Sequence, residues 1–162
     1  MHGHNQSITW GARESEERYD VTSVLGMCSD EAIAFWNLVN GGVLDRFPEL
    51  QVFITHAGGY VPYQLGRLTV LAEKMAPDTK RQRPVAEYLG NFWFDLLVEH
   101  PALRRAIVEI VGVDRLLYSS NFGGADAIDF DLTDGIGLTD AEREQIRSGN
   151  AAKLLRIAWA AG

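Results

Sequence analysis

The sequence predicts an α/β fold built around a parallel sheet, and three observations point to it. Apolar segments of strand character alternate with segments of helical periodicity in the order strand, helix, strand, helix, strand. The strands recur roughly 20 to 40 residues apart, the spacing of βαβ units with right-handed crossovers. The chain of 162 residues is 46% hydrophobic, 23% charged and 10% aromatic, which suffices for one packed domain and excludes disorder or a disulfide scaffold.

Residues 1–24 carry glycines, serines and a charge cluster from Glu14 to Arg18 without periodicity, and read as a loop or an incomplete element. Residues 25–162 read as a single domain, with no repeat or linker to divide them. Ser29, followed by Asp30 and Glu31, predicts a helix start, with both carboxylates beside the positive end of the helix dipole. Ala32, Phe35, Trp36 and Val39 supply the buried face of that helix, and Gly41-Gly42 stops it. After Phe47-Pro48, Gln51–Thr55 reads as a buried strand ending at His56.

Helical spacing returns from Tyr60 to about Met75, followed by a polar connection through Asp78, Lys80, Arg81 and Arg83. Asn91–Leu97 is the second strand, Pro101–Val111 the next helix and Arg115–Ser119 the third strand. Asn121–Gly137 reads as an irregular loop with a short helical piece near Ala127. Thr139 with Glu142 fits a capping box, and Gly149-Asn150 is expected to end that helix and cap the last one. Ala151, Leu154, Leu155, Ala158 and Trp159 form the expected buried stripe of the last helix.

Charge and composition narrow the function classes. Fifteen Lys and Arg against twenty-two Asp and Glu leave a formal charge of −7, which repels nucleic-acid phosphates and anionic lipid. No apolar run approaches the roughly 18 to 20 residues of a membrane span. The single Cys28 cannot form an internal disulfide, and no signal-peptide pattern precedes it, so the expected compartment is reducing and cytoplasmic. Cys28 itself reads as an inert buried thiol.

In parallel α/β folds the C-terminal strand ends face the functional side. His56 stands there before Ala57-Gly58-Gly59, where glycines would let a ligand approach the backbone and the imidazole would serve as ligand or acid–base group. A structural histidine bonded to a neighbouring carbonyl satisfies the same pattern. Asp95 interrupts an apolar run and needs a partner if buried, either a neighbouring strand end or a reacting group. Ser119-Ser120-Asn121 places three polar side chains at the end of the last strand, where they could cap a helix or face a pocket.

Arg67, eleven residues after His56, could grip a substrate carboxylate with its guanidinium fork or simply lie on the surface. His2 and His4 form an H-x-H pair whose rings would point to one side of an extended segment, as a metal requires, or would stay uninvolved at a frayed terminus. His100, ahead of Pro101, reads as a solvent-facing structural residue.

Long stretches of the chain resemble one family. Gly42-Val43-Leu44-Asp45-Arg46-Phe47-Pro48-Glu49-Leu50-Gln51-Val52 and Thr55-His56-Ala57-Gly58-Gly59-Tyr60-Val61-Pro62-Tyr63-Gln64-Leu65-Gly66-Arg67 resemble the sixth-strand region of amidohydrolase-related proteins, in the branch of aminocarboxymuconate-semialdehyde decarboxylase. The likeness continues through Phe92-Trp93-Phe94-Asp95 and Tyr118-Ser119-Ser120-Asn121-Phe122 to Ser148-Gly149-Asn150 and Leu155, covering roughly residues 25 to 157. It implies a partial (β/α)8 TIM barrel, about strands 5 or 6 to 8 with their helices. A complete barrel takes about 250 residues, so 162 are too few for one.

The resemblance also implies chemistry: a metal-dependent hydrolase or decarboxylase acting on a small carboxylated substrate, using a divalent metal, zinc by expectation. His56 matches the family's catalytic histidine after the sixth strand, Arg67 the arginine on the substrate carboxylate, and His2 the histidine ligand that ends the fifth strand. Two departures accompany the match. The first-strand H-x-H of the family has no counterpart, and Asn121 stands where the family has a metal-site aspartate. The alternative is therefore a degenerate, non-catalytic half-barrel serving as an oligomerising or ligand-binding subunit. Open barrel strands predict either a homo-oligomer or a complementing N-terminal half chain as partner.

Overall fold

A computed structural model describes residues 21–75, 78–124 and 127–158. Its three strands form one parallel sheet in the order β1-β2-β3, as the alternation of elements predicts: β1 (Val52–Ile54), β2 (Phe92–Asp95) and β3 (Leu116–Leu117). Val52 pairs with Phe92, Ile54 with Phe94, and Phe94 in turn with Leu116. All four residues of the central strand are buried, the signature of a strand covered on both faces. The strands are shorter than the apolar runs that announce them, because the chain leaves the ladder at the site end.

Helix α1 (Met27–Asn40) begins before Ser29, continuing from a π-helical turn at Thr22–Gly26. This displaces the expected start, so Ser29 is not a cap and Glu31 lies inside the helix on the same face as Ala32, Phe35 and Val39. Phe35 packs its ring 4.7 Å from Phe92, which lies 6.3 Å from Phe94, joining α1 to the sheet in a single apolar cluster. A short α2 (Val43–Arg46) follows Gly42, whose φ of 69° is a conformation glycine adopts without strain.

Between β1 and β2 runs α3 (Leu65–Met75), entered through a 3-10 turn at Pro62–Gln64, and a second 3-10 stretch at Val85–Asn91 leads into β2. That stretch has no apolar periodicity of its own. Its buried Tyr88 hydroxyl accepts the Gln82 and Arg83 N–H groups and donates to the Asp45 carboxylate. Helix α4 (Pro101–Val111) has the predicted bounds, with the exposed His100 imidazole accepting from the Ala102 N–H at its start.

The Thr139–Glu142 capping box forms as predicted and opens α5 (Asp140–Glu144). The expected stop at Gly149-Asn150 does not occur. Helical backbone runs on through a π turn, Gln145–Gly149, into α6 (Asn150–Leu155). Asn150 is buried, and its amide donates to the carbonyls of Val113 and Leu116 at 2.7 Å each, fixing the helix to the root of β3. Ala152 rather than Leu155 and Ala158 faces inward, and Trp159 lies outside the described residues.

At the N-terminal end of the sheet, the Gln51 amide oxygen accepts from Trp93 Nε1 at 2.9 Å and Arg115 Nη1 at 2.8 Å, tying the starts of all three strands. The opposite, C-terminal strand ends gather His56, Asp95 and Ser119–Asn121 at one edge of the sheet. No helix among the described residues is long and apolar enough to cross a membrane.

Candidate active site at the strand ends

The chain turns sharply after β1. His56, Ala57, Gly58 and Gly59 all have positive φ, forming one tight turn closed by bonds from Gly58 N to Thr55 O (2.8 Å) and Gly59 N to His56 O (2.9 Å). For His56 and Ala57 this conformation costs on the order of 1–2 kcal/mol each, so something must hold them. The Asp95 carboxylate does. Its Oδ2 accepts the His56 N–H at 3.1 Å, and its Oδ1 accepts the Ala57 N–H at 2.7 Å and the Leu97 N–H at 3.2 Å. The bonding to a neighbouring strand end that the sequence allowed for Asp95 is thus present.

The glycines serve packing. A Cβ on Gly58 would stand 2.6 Å from the Phe94 ring, and one on Gly59 would stand 2.1 Å from the Cys28 carbonyl oxygen of α1. Small size is required at both positions by the close approach of β2 and α1. Cys28 is half-buried, a little more open than the buried thiol expected.

Burial dominates the electrostatics here. It pushes the Asp95 carboxyl from 3.8 up to about 6, opposed by the Ala57 and Leu97 N–H groups, the charge of His56 and the His56 N–H. Burial, reinforced by the nearby Asp95 charge, pushes the Tyr63 hydroxyl up to about 12, which keeps it a neutral donor to the Leu103 carbonyl at 3.3 Å.

The imidazole of His56 meets a residue that the helical pattern alone assigns to a helix start. Glu31, 2% exposed, places Oε1 2.8 Å from His56 Nδ1, and the same oxygen accepts the Thr55 hydroxyl. The signal was present in the helical spacing that sets Glu31 on the face of Phe35 and Val39, where a buried carboxylate requires a partner. A misplaced helix start concealed it.

Asn121 ends its strand region with φ of 50°, half-buried, its N–H 3.4 Å from Ser119 Oγ and its carbonyl accepting Gly124 N at 2.8 Å. Arg67 is exposed on α3, and its side chain makes no hydrogen bond or ion pair among the described residues. His2 and His4 lie outside the described residues. Among the described residues no group of three or more His, Cys, Asp or Glu side chains could hold a metal ion, so this part of the chain does not by itself fit a metal centre.

Comparison with known proteins supplies the family. The chain is 25% identical over 145 residues to 2-amino-3-carboxymuconate-6-semialdehyde decarboxylase of Dictyostelium discoideum, a match covering 86% of this chain and 40% of that protein. Its fold matches the crystal structure of 5-carboxyvanillate decarboxylase from Sphingomonas paucimobilis with a TM-score of 0.79 at 21% identity, covering 98% of this chain and 49% of that one. A dihydroxybenzoic acid decarboxylase from Polaromonas sp., solved with bound manganese and the inhibitor 2-nitroresorcinol, matches with a TM-score of 0.77 at 20% identity, covering 99% and 50%. The chain thus spans about 40% to 50% of the length of these relatives. Its three-stranded parallel sheet is consistent with part of their TIM barrel. The amidohydrolase family model matches residues 7–157, nearly the whole sequence, and the chain is a member of the amidohydrolase family.

Proposed function

We propose that this chain carries the acid–base and carboxylate-binding portion of a decarboxylase- or hydrolase-type site for a small carboxylated substrate, with His56 moving the proton and Arg67 binding the carboxylate. The observation that carries the proposal is the mouth of β1. An imidazole stands on a tight turn, its backbone N–H bonded to Asp95 and its Nδ1 to Glu31. Proton transfer at carbon or oxygen needs such a fixed group, and it contributes about 10²–10⁴ in rate where it acts. The decarboxylases of similar fold act on carboxylated aromatics, the substrate class that an arginine fork and a neutral tyrosine nearby would suit.

In this reading residues 25–162 are one half-barrel domain corresponding to strands five or six to eight. The outer edges of β1 and β3, which pair with no strand among the described residues, are covered by a second copy or by a chain carrying the other half. A divalent ion, zinc by preference, would draw on His2 and His4 and on ligands beyond the described residues. A reducing, cytoplasmic setting belongs to the same proposal.

The test is carbon dioxide release from 5-carboxyvanillate and from a dihydroxybenzoate by the assembled protein, with zinc or manganese supplied. Turnover should fall by about 100-fold or more in His56→Ala. In Arg67→Ala the KM should rise by about tenfold. A folded oligomer that neither binds nor turns over either acid would instead identify the chain as a non-catalytic subunit.

A further inference from the structure

We propose that Glu31 is the positioning residue of His56: its buried Oε1 accepts a hydrogen bond from Nδ1–H and so holds the imidazole in the tautomer that leaves Nε2 as the proton-accepting atom. The inference deepens the acid–base reading of His56 and rests on it for its catalytic meaning, although the tautomer can be measured without substrate or metal.

Three features of Glu31 carry it. The residue sits on α1, a different element from the strand end that it serves, so the contact is made by tertiary packing and not by local sequence. Both hydrogen bonds of the carboxylate fall on one oxygen and reach consecutive residues, the Thr55 hydroxyl and the His56 ring. Its other oxygen, Oε2, is buried with no hydrogen-bond partner among the described residues. A glutamate retained only to join α1 to the sheet would be expected to satisfy both oxygens, or to be replaced by an apolar side chain of similar size. Here the whole acceptor capacity in use is aimed at the turn that bears the imidazole.

The chemistry follows from the donor inventory. Ionised, Glu31 can only accept, so a neutral imidazole facing it must carry its proton on Nδ1, and an imidazolium facing it gains a charge-assisted bond. A hydrogen bond to one ring nitrogen fixes the role of the other, as carboxylates behind metal-bound histidines do elsewhere. Among the described residues, the charged groups shown to bond to His56 are Glu31 from α1 and Asp95 from β2. Asp95 grips the backbone N–H of His56, while Glu31 grips its ring. Backbone and side chain are thus held by separate carboxylates.

The experiment is long-range nitrogen–proton correlation on the ring of His56 in the full 15N-labelled chain, recorded at a pH at which its nitrogen shifts show the neutral ring. His56→Gln serves to assign the signals. In the wild type the Nδ1–H form should exceed the Nε2–H form by about tenfold, reversing the preference of free histidine. In Glu31→Gln, which keeps the volume but can donate as well as accept, that ratio should fall by about tenfold. Thr55→Val, which removes the competing hydroxyl and leaves Glu31 in place, should preserve the ratio. A wild-type ring protonated at Nε2 overturns the inference even if no variant folds, and so does a ratio unchanged in Glu31→Gln. Loss of turnover with the Nδ1–H form intact would count against the proposed function and leave the role of Glu31 standing.

Discussion

At the end of β1, the first two of four successive positive-φ residues are gripped by two carboxylates from two other elements. At the end of β3 the chain passes through Asn121 into a loop with Phe122 98% exposed. Both ends carry a positive-φ polar residue followed by glycines: His56 before Gly58 and Gly59, Asn121 before Gly123 and Gly124. The glycines of the two turns are packed differently. A Cβ on Gly59 would strike the backbone of α1, while one on Gly123 would meet nothing within 4 Å. Similar sequence at two strand ends therefore meets different packing: the α1 backbone stands against Gly59, whereas nothing within 4 Å faces Gly123.

The sharpest way to break that contrast is Gly59→Ala. The new methyl cannot avoid the Cys28 carbonyl at a φ of 63° and ψ of −109°, and unfolding in urea should show a loss of about 4 kcal/mol. Gly123→Ala, with only its φ of 84° against it, should cost about 1 kcal/mol in the same measurement. Equal losses at the two positions would show that the ends are alike after all.

Asp95→Ala comes next. It strips the acceptor from three N–H groups, at about 1–3 kcal/mol for each donor left buried, offset by relief from burying the carboxylate. The net loss should be about 3 kcal/mol.

The same carboxyl sets a pH dependence of similar size. Its folded value of about 6 lies above the ordinary 3.8, so between those values the folded chain holds a proton that the unfolded chain has released. The stability from this group is fully present below about pH 4 and is lost as the pH rises through about 6, by about 3 kcal/mol. Subtracting the profile of Asp95→Asn, measured by thermal melts across that range, should isolate this slope. A slope of opposite sign would mean that the three N–H donors outweigh burial.

Phe122→Ser should be the smallest effect, within about 0.5 kcal/mol, because the ring has little to lose on exposure. A larger loss measured in the assembled protein would show that a partner covers the end of β3.

Features resting on neighbours in sequence could be read before any coordinates. The α4 bounds and the Thr139–Glu142 box follow from side chains that cap within three residues, and the parallel sheet follows from the alternation of elements. What escaped depends on contacts across the fold. Gly149-Asn150 resembles a helix stop, yet Asn150 continues the helix because its amide finds two carbonyls more than thirty residues away. Glu31 resembles a dipole partner, yet the helix starts earlier and turns it inward. His56 was legible as a candidate from its place after the strand. Its two carboxylate partners, 25 and 39 residues distant, were not legible as such.

Asn150 couples two parts of the chain mechanically. Its amide is a rivet between the C-terminal helix and the chain entering β3, so the strand that leads to Ser119 and Asn121 is anchored from the C-terminal side. The end of β1, by contrast, is anchored from α1 and β2.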